Sequence, residues 1–275
     1  MLTANVPNPY YPLLPGTNLQ GQTVQVEQLL RPYSQFTGGS TTSNEGFSWF
    51  HSLQTRLERR FSAGYLLTGA WTWSKFMEAR EFLNNTDAAP THCISDQDRT
   101  HRMAGSAIYE LPLGRGKRWA QSWRGIAGQA VSGWQVQGIY QWQSGPPLGF
   151  GDVPFYGLYS DIPLPADQRS VSQWFNVNAG FDHKSGDAFV YHIRTFPLRM
   201  SGLRGMGLNM WDLSAIKNTR AGERARAQFR AEFMNALNHT HFGTPSMDPT
   251  SSDFGRVTST AQLPRAIQFG MKVIY

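Results

Sequence analysis

The sequence predicts an all-β chain: an antiparallel up-and-down transmembrane β-barrel, present as a partial barrel of about seven to nine strands with long external loops. Three observations predict it. Seven segments alternate apolar and polar residues with the period of a strand that has one apolar face. The connections between them alternate between short and long. Trp and Tyr gather toward the strand ends on the apolar side, as in the aromatic girdles of membrane barrels.

In SWFHSLQTRLERR (48–60) Trp49, His51, Leu53, Thr55 and Leu57 take one face, and Ser52, Gln54, Arg56, Glu58 and Arg60 the other. GYLLTGAWTWSKF (64–76) puts Tyr65, Leu67, Trp71 and Trp73 in phase, and HRMAGSAIYELP (101–112) does so more weakly with Met103, Ala107, Tyr109 and Leu111. The cleanest alternation is GWQVQGIYQWQ (133–143), where Trp134, Val136, Tyr140 and Trp142 are separated by Gln135, Gln137, Gln141 and Gln143. NMWDLSAIKN (209–218) follows with Trp211, Leu213 and Ala215. In RARAQFRAEFMNAL (224–237) Ala225, Ala227, Phe229, Ala231, Phe233 and Leu237 oppose Arg224, Arg226, Gln228, Arg230 and Glu232. Arginines repeated along one strand face cannot line a dry sandwich core. The last segment, RAIQFGMKVIY (265–275), places Ile267, Phe269, Met271, Val273 and Tyr275 on one side.

The connections RRFSAG (59–64) and TRAGE (219–223) are short, 113–132 is intermediate, and 77–100, 144–208 and 238–264 are long. Counting strand directions back from the last segment puts the short turns at one end and the long loops at the other, the arrangement of periplasmic turns and external loops. Residues 1–46 read as loop or partial strand and 47–275 as barrel. One or two helical turns are expected within 119–131.

Composition narrows the function. No run approaches the roughly 18 apolar residues of a membrane helix, but barrel strands alternate and escape that test. The charge is +6 with Lys only at 75, 117, 184, 217 and 272, so Arg carries most of the basic charge. It is scattered along strands with no binding module, which argues against nucleic acid. Cys93 is the single cysteine, so no disulfide framework forms within the chain. MLTANVPNPYY has neither a basic nor an apolar leader region, so no signal peptide is expected; either the protein stays in the cell or this is a piece of a longer exported one.

The densest polar cluster, THCISDQDRTHR (91–102), holds His92, Cys93, Asp96, Asp98 and His101. These are metal-ligating residue types, yet the spacing fits no zinc pattern, and a structural turn is the expected role. His239 and His241 in NHTHFG share one side of a strand exit. GLRGMG (202–207) and LPLGRGKRW (111–119) lack the strand, helix and trailing Ser/Thr of phosphate loops. No nucleophile elbow or zinc-protease motif is present. No enzyme activity, metal or cofactor is expected.

LLRPYSQFTGGS, HSLQTRLERRFSAGYLLTGAWTWSK, SDQDRTHRMAGSAIYELPLGRGKRW, GWQVQGIYQWQSGPPL, RAQFRAEFMNALNHTHFGTP and FGRVTSTAQLPRAIQFGMKVIY, in that order, resemble the C-terminal barrel portion of Oar-like TonB-dependent outer-membrane transporters. The resemblance runs from about residue 5 to 275 and implies a cell outer-membrane location. It implies as partners outer-membrane lipid, the barrel assembly machinery, an unidentified bulky ligand, and the TonB energy-coupling system acting through an N-terminal plug. Complete relatives have about 22 strands; here seven or eight are visible, without plug, signal peptide or coupling segment. The segment is therefore expected to be part of a longer or split chain, or to close as a small barrel of about eight strands.

Within this reading Trp49, Trp71, Trp73, Trp134, Tyr140, Trp142 and Trp211 face lipid, and Gln135, Gln137, Arg226 and Arg230 line the lumen. The loops 77–100, 144–208 and 238–264 contact ligand. Ile267, Phe269, Met271, Val273 and Tyr275 form the assembly signal of a last barrel strand. Two rivals predict differently: a soluble secreted carbohydrate-binding protein needs Trp on exposed concave faces, and an outer-membrane adhesion or structural barrel needs no plug.

Overall fold

The computed structural model describes residues 1–38, 44–84, 86–184, 193–221 and 225–274. The chain divides into two units, Met1–Asn44 and Glu45–Tyr275. In the first, β1 (Asn5–Pro7) pairs antiparallel with β2 (Thr23–Gln25), and one helical turn follows, α1 (Val26–Leu29). The expected loop or partial strand is thus a small hairpin. Leu19 and Val24 are its buried apolar side chains among the described residues, and its loops are tied by buried amides: Asn8 donates to the carbonyls of Leu19 (2.6 Å) and Gly21 (2.7 Å). Gln28 donates to those of Ser34 (2.8 Å) and Phe36 (2.7 Å).

The second unit contains, in chain order, β3 (Phe47–Ser62), β4 (Tyr65–Ala79), β5 (Cys93–Ile94), β6 (His101–Glu110), α2 (Gly125–Val131) and β7 (Trp134–Gln143). It continues with β8 (Pro147–Leu148), a 3-10 turn (Tyr159–Asp161), β9 (Met200–Arg204), β10 (Leu208–Ala221), β11 (Ala225–Met234) and β12 (Ala266–Ile274). The main sheet has the order β12-β11-β10-β7-β6-β4-β3, with β5 beside β4 and every pairing antiparallel. The long strands are the seven alternating segments, and α2 falls where a short helix is expected.

The boundaries differ for local reasons. β3 and β4 run further toward each other than the pattern suggests, because Ala63 (φ 54°) and Gly64 (φ 88°) make the whole turn. Two successive left-handed residues match the twist of an antiparallel ribbon. β6 stops at Glu110, ahead of Pro112, which has no N–H to give, so Leu111 falls outside the strand. β11 stops at Met234 because Asn235 turns left-handed (φ 48°), and Leu237 lies exposed beyond it. Arg224 and part of the TRAGE turn lie outside the described residues, as does Tyr275.

Strand direction alternates across the sheet, so β3 and β12, its two edges, run the same way, from the long-loop end to the short-turn end. The sheet is open: among the described residues each edge strand pairs on one side only along this sheet. Closing it with antiparallel pairs alone requires an odd number of further strands.

The buried apolar core does not lie in the sheet. It sits at the long-loop end, where Leu148, Phe150, Ile162, Phe175, Phe181, Phe196, Met200, Leu203 and Phe254 cluster. The described residues of 144–207, a stretch that carries no alternating pattern, therefore form a folded cap with its own strand pair, β8 with β9. Phe150 is its hub, meeting Phe181 at 4.6 Å between ring centroids and Phe175 and Phe196 edge-on at 5.0 and 5.5 Å. Phe254 joins from the 235–265 loop, 5.0 Å from Phe181, so two long loops share one core. Such aromatic pairs add directional preference to area burial.

Candidate functional site

A two-faced wall follows from the register. Leu57, Gly69, Gly105, Tyr140 and Trp211 stand side by side across β3, β4, β6, β7 and β10. Tyr109, Val136, Ala215, Ala231 and Phe269 continue the same face from β6 to β12. Trp49, Trp71, Trp73, Trp134, Tyr140, Trp142 and Trp211 all belong to it, and so do Ile267, Phe269, Met271 and Val273. The next row over, Glu110, Gln135, Ile216, Arg230 and Gly270, belongs to the opposite face, which also carries Gln137 and Arg226.

The charges divide just as sharply. Among the described residues of the seven long strands, Glu58, Glu78, Glu110, Asp212 and Glu232 are the carboxylates, and all stand on the polar face. The ammonium and guanidinium groups that those residues place on the apolar face are Arg59, Lys75 and Lys217, none of them mid-sheet. Two are held there: Lys217 donates to the carbonyls of Gln129 and Ser132, and the Arg59 guanidinium lies 4.2 Å from the Tyr65 ring centroid. A long cationic side chain can keep its stem on an apolar surface and its head at the border, which a short carboxylate cannot. Aromatic rings band both borders. Trp71 stacks on His101 (5.9 Å) toward the long loops, while Tyr65, Tyr109 and Trp134 stand toward the short turns.

At the long-loop end, buried ion pairs fasten the cap to the sheet. The carboxylate of Glu78, at the top of β4, accepts from Arg199 (3.0 Å) and from the Ser95 hydroxyl (2.7 Å). Arg199 also reaches Glu81 at 2.6 Å. Fully buried Asp98 accepts the Phe76 backbone N–H (2.7 Å) and pairs with Arg204 (2.8 Å), whose guanidinium also donates to Thr100 (3.1 Å). The Trp174 indole closes the arrangement on the Arg204 carbonyl (2.8 Å). Arg199 and Arg204, five positions apart, thus carry the cap on two buried carboxylates. Alternation gives no hint of Glu78, Arg199 and Arg204 as a site, since each partner lies about a hundred residues from its mate. Their trace in the sequence is the pair of Arg residues in PLRMSGLRG among apolar neighbours.

The residues of the THCISDQDRTHR stretch diverge. His92 packs against Phe47 and Trp49 (5.5 and 5.2 Å), Cys93 is buried beside Arg199 (3.3 Å), Asp98 serves Arg204, and His101 stacks on Trp71. Asp96 lies next to Ser95, whose hydroxyl is 3.5 Å from its carboxylate. Among the described residues no group of three or more His, Cys, Asp or Glu side chains converges on a metal position. His239 and His241 lie 5.3 Å apart between ring centroids, and buried His241 places Nε2 3.0 Å from both the N–H and the carbonyl of Asn209, tying the 235–265 loop to β10.

Burial pushes the Cys93 thiol above its usual range, and neighbouring Arg199 only partly offsets this. A raised thiol pKa means less thiolate at a given pH, and thiolate is the reactive form. The folded protein at pH 8 is therefore expected to react with a maleimide or disulfide reagent at least about tenfold more slowly than after denaturation. Comparing the two rates on one preparation checks this.

No curated protein and no solved structure matches the chain. The family model for the outer membrane beta barrel domain matches residues 2–268. The alternating strands, the carboxylate-free apolar face with aromatic borders and the unequal ends agree with that match. The chain belongs to the outer membrane beta barrel domain family, and its place is the outer membrane.

Proposed function

We propose that this chain is wall and external cap of a TonB-dependent, Oar-like transporter that takes up a bulky ligand once joined to a plug. The observation that carries the proposal is the open sheet itself. Hydrocarbon leaves unpaired strand edges unsatisfied, so β3 and β12 each require a neighbour, and parity requires the added strands to be odd in number. One added strand would close a small barrel of eight and a larger odd number a wider barrel; the wider barrel, whose lumen needs a plug, is the one the family resemblance favours. In this role the apolar face bearing Trp49, Trp71, Trp73, Trp134, Tyr140, Trp142 and Trp211 meets lipid, and Gln135, Gln137, Arg226 and Arg230 line the lumen. The folded cap of 144–207 and 235–265 meets ligand outside. The chain has no catalytic role.

Membership in an outer-membrane family sets aside the soluble carbohydrate-binding rival. The adhesion barrel is separated by experiment. Affinity isolation of the tagged protein from outer membranes of its own cell is expected to bring down plug sequence, covalently joined or as a partner, and the TonB protein. Isolation of the barrel with neither removes the transport reading and leaves the adhesion barrel.

A further inference from the structure

At the short-turn end of the polar face, opposite the cap, two arginines stand directly across from one another: Arg220 on β10 and Arg226 on β11. Like charges in that position repel and destabilise a sheet. Further along the same face two arginines have carboxylates, Arg230 with Glu232 (3.6 Å) and Arg56 with Glu58 (2.9 Å). Among the described residues neither Arg220 nor Arg226 is paired with a carboxylate. A third cation is brought in from outside the sheet. The 111–133 connection carries Lys117 to the same place, where it takes up the one carboxylate lining it, Glu110, at 3.5 Å.

The three cations and Glu110 line a cleft of about 440 Å3 with Gln135 and Asn218 on its walls. That volume lies within the usual range for small-molecule sites, about 300–1,000 Å3. With Glu110 satisfied by Lys117, two guanidinium groups remain uncompensated among the described residues over one concavity. Planar guanidinium forks match the oxygens of phosphate or carboxylate, and two facing forks can hold one tetrahedral anion from both sides. The cleft is open to solvent, and its walls approach at Gly133, whose φ is 76° and where any Cβ would strike the Asn218 carbonyl oxygen, so that glycine alone fits.

We propose that this cleft binds the oxyanion of a small solute, a phosphate group foremost, and that the bound anion relieves the Arg220 and Arg226 repulsion. The site is on the polar face and away from lipid, so the source is a dissolved compound rather than a membrane headgroup. In an outer-membrane barrel it opens at the short-turn, periplasmic end. The proposal stands without the TonB reading, since it needs no plug and no coupling.

The test uses the protein purified from its outer membranes in a phosphate-free zwitterionic detergent, titrated with inorganic phosphate at constant ionic strength and followed by calorimetry or phosphorus NMR. Saturable binding at one site is expected, weakened about tenfold in R220Q and in R226Q, as loss of one charge-assisted pair implies, and unchanged in R56Q. K117Q, outside the strands, is expected to alter affinity without touching the sheet. It decides the matter if an arginine variant fails to fold. Addition of vesicles containing anionic lipid is expected not to compete. The proposal is overturned by non-saturable binding, by equal binding in wild type, R226Q and K117Q, or by displacement of phosphate by anionic vesicles.

Discussion

Arg199→Ala is expected to release the cap from the sheet, with a local destabilisation of about 3 kcal/mol. The reason is what remains behind. Glu78 exposes 2% of its side chain, and its pair with Arg199 is the closest ionic contact it has; Arg80 stands off at 3.8 Å. Removing one member of a buried pair leaves a charge that water cannot reach, so the cost exceeds anything the pair itself contributed. The protein escapes by opening the cap. Hydrogen exchange and limited proteolysis of the protein purified from its outer membranes are expected to show the cap opened while the seven long strands β3, β4, β6, β7, β10, β11 and β12 stay protected. Glu78→Gln in the Arg199→Ala background removes the stranded charge and is expected to restore much of the protection. Unchanged proteolysis in Arg199→Ala would show that the aromatic core around Phe150 holds the cap alone.

Leu213→Arg and Ser214→Arg, adjacent substitutions with the same new side chain, are expected to have opposite consequences. Leu213 stands mid-strand on the carboxylate-free face between Gly138 and Phe233. A guanidinium at mid-depth on a lipid face costs about 2–4 kcal/mol. Ser214 faces the other way, between Gln137 and Glu232, where the guanidinium meets water and a carboxylate. Its expected cost is within about 0.5 kcal/mol. Urea titration in bilayers, or the fraction of protein assembled in the outer membrane, reads the difference. Equal losses for the two variants would show that the faces are not segregated between lipid and lumen.

Much of this was legible because a strand reports its own environment. Each residue pair two apart lies on one face, so GWQVQGIYQWQ states both its apolar and its polar side without reference to any other segment. The same holds for RAQFRAEF and AIQFGMKV. Boundaries were less legible, since they depend on single backbone choices such as the left-handed Ala63 and Asn235. The His92 to His101 stretch shows how composition can mislead. It has metal-ligating residue types in close sequence, yet alternate side chains turn to different neighbours: an aromatic pair, a guanidinium and a stacked indole.

Alternation along the chain by itself determined the seven strands, their faces and the unequal ends, because side-chain direction in a strand is a local property with a period of two. Only the tertiary structure decided that the described residues of 144–207 are a folded cap rather than an open loop. Its Phe residues are irregularly spaced, and its anchoring arginines meet Glu78 and Asp98 about a hundred residues away. Only the tertiary structure, too, set Arg220 against Arg226 with Lys117 alongside. Contacts between distant segments follow from register and loop path, and no local period encodes them.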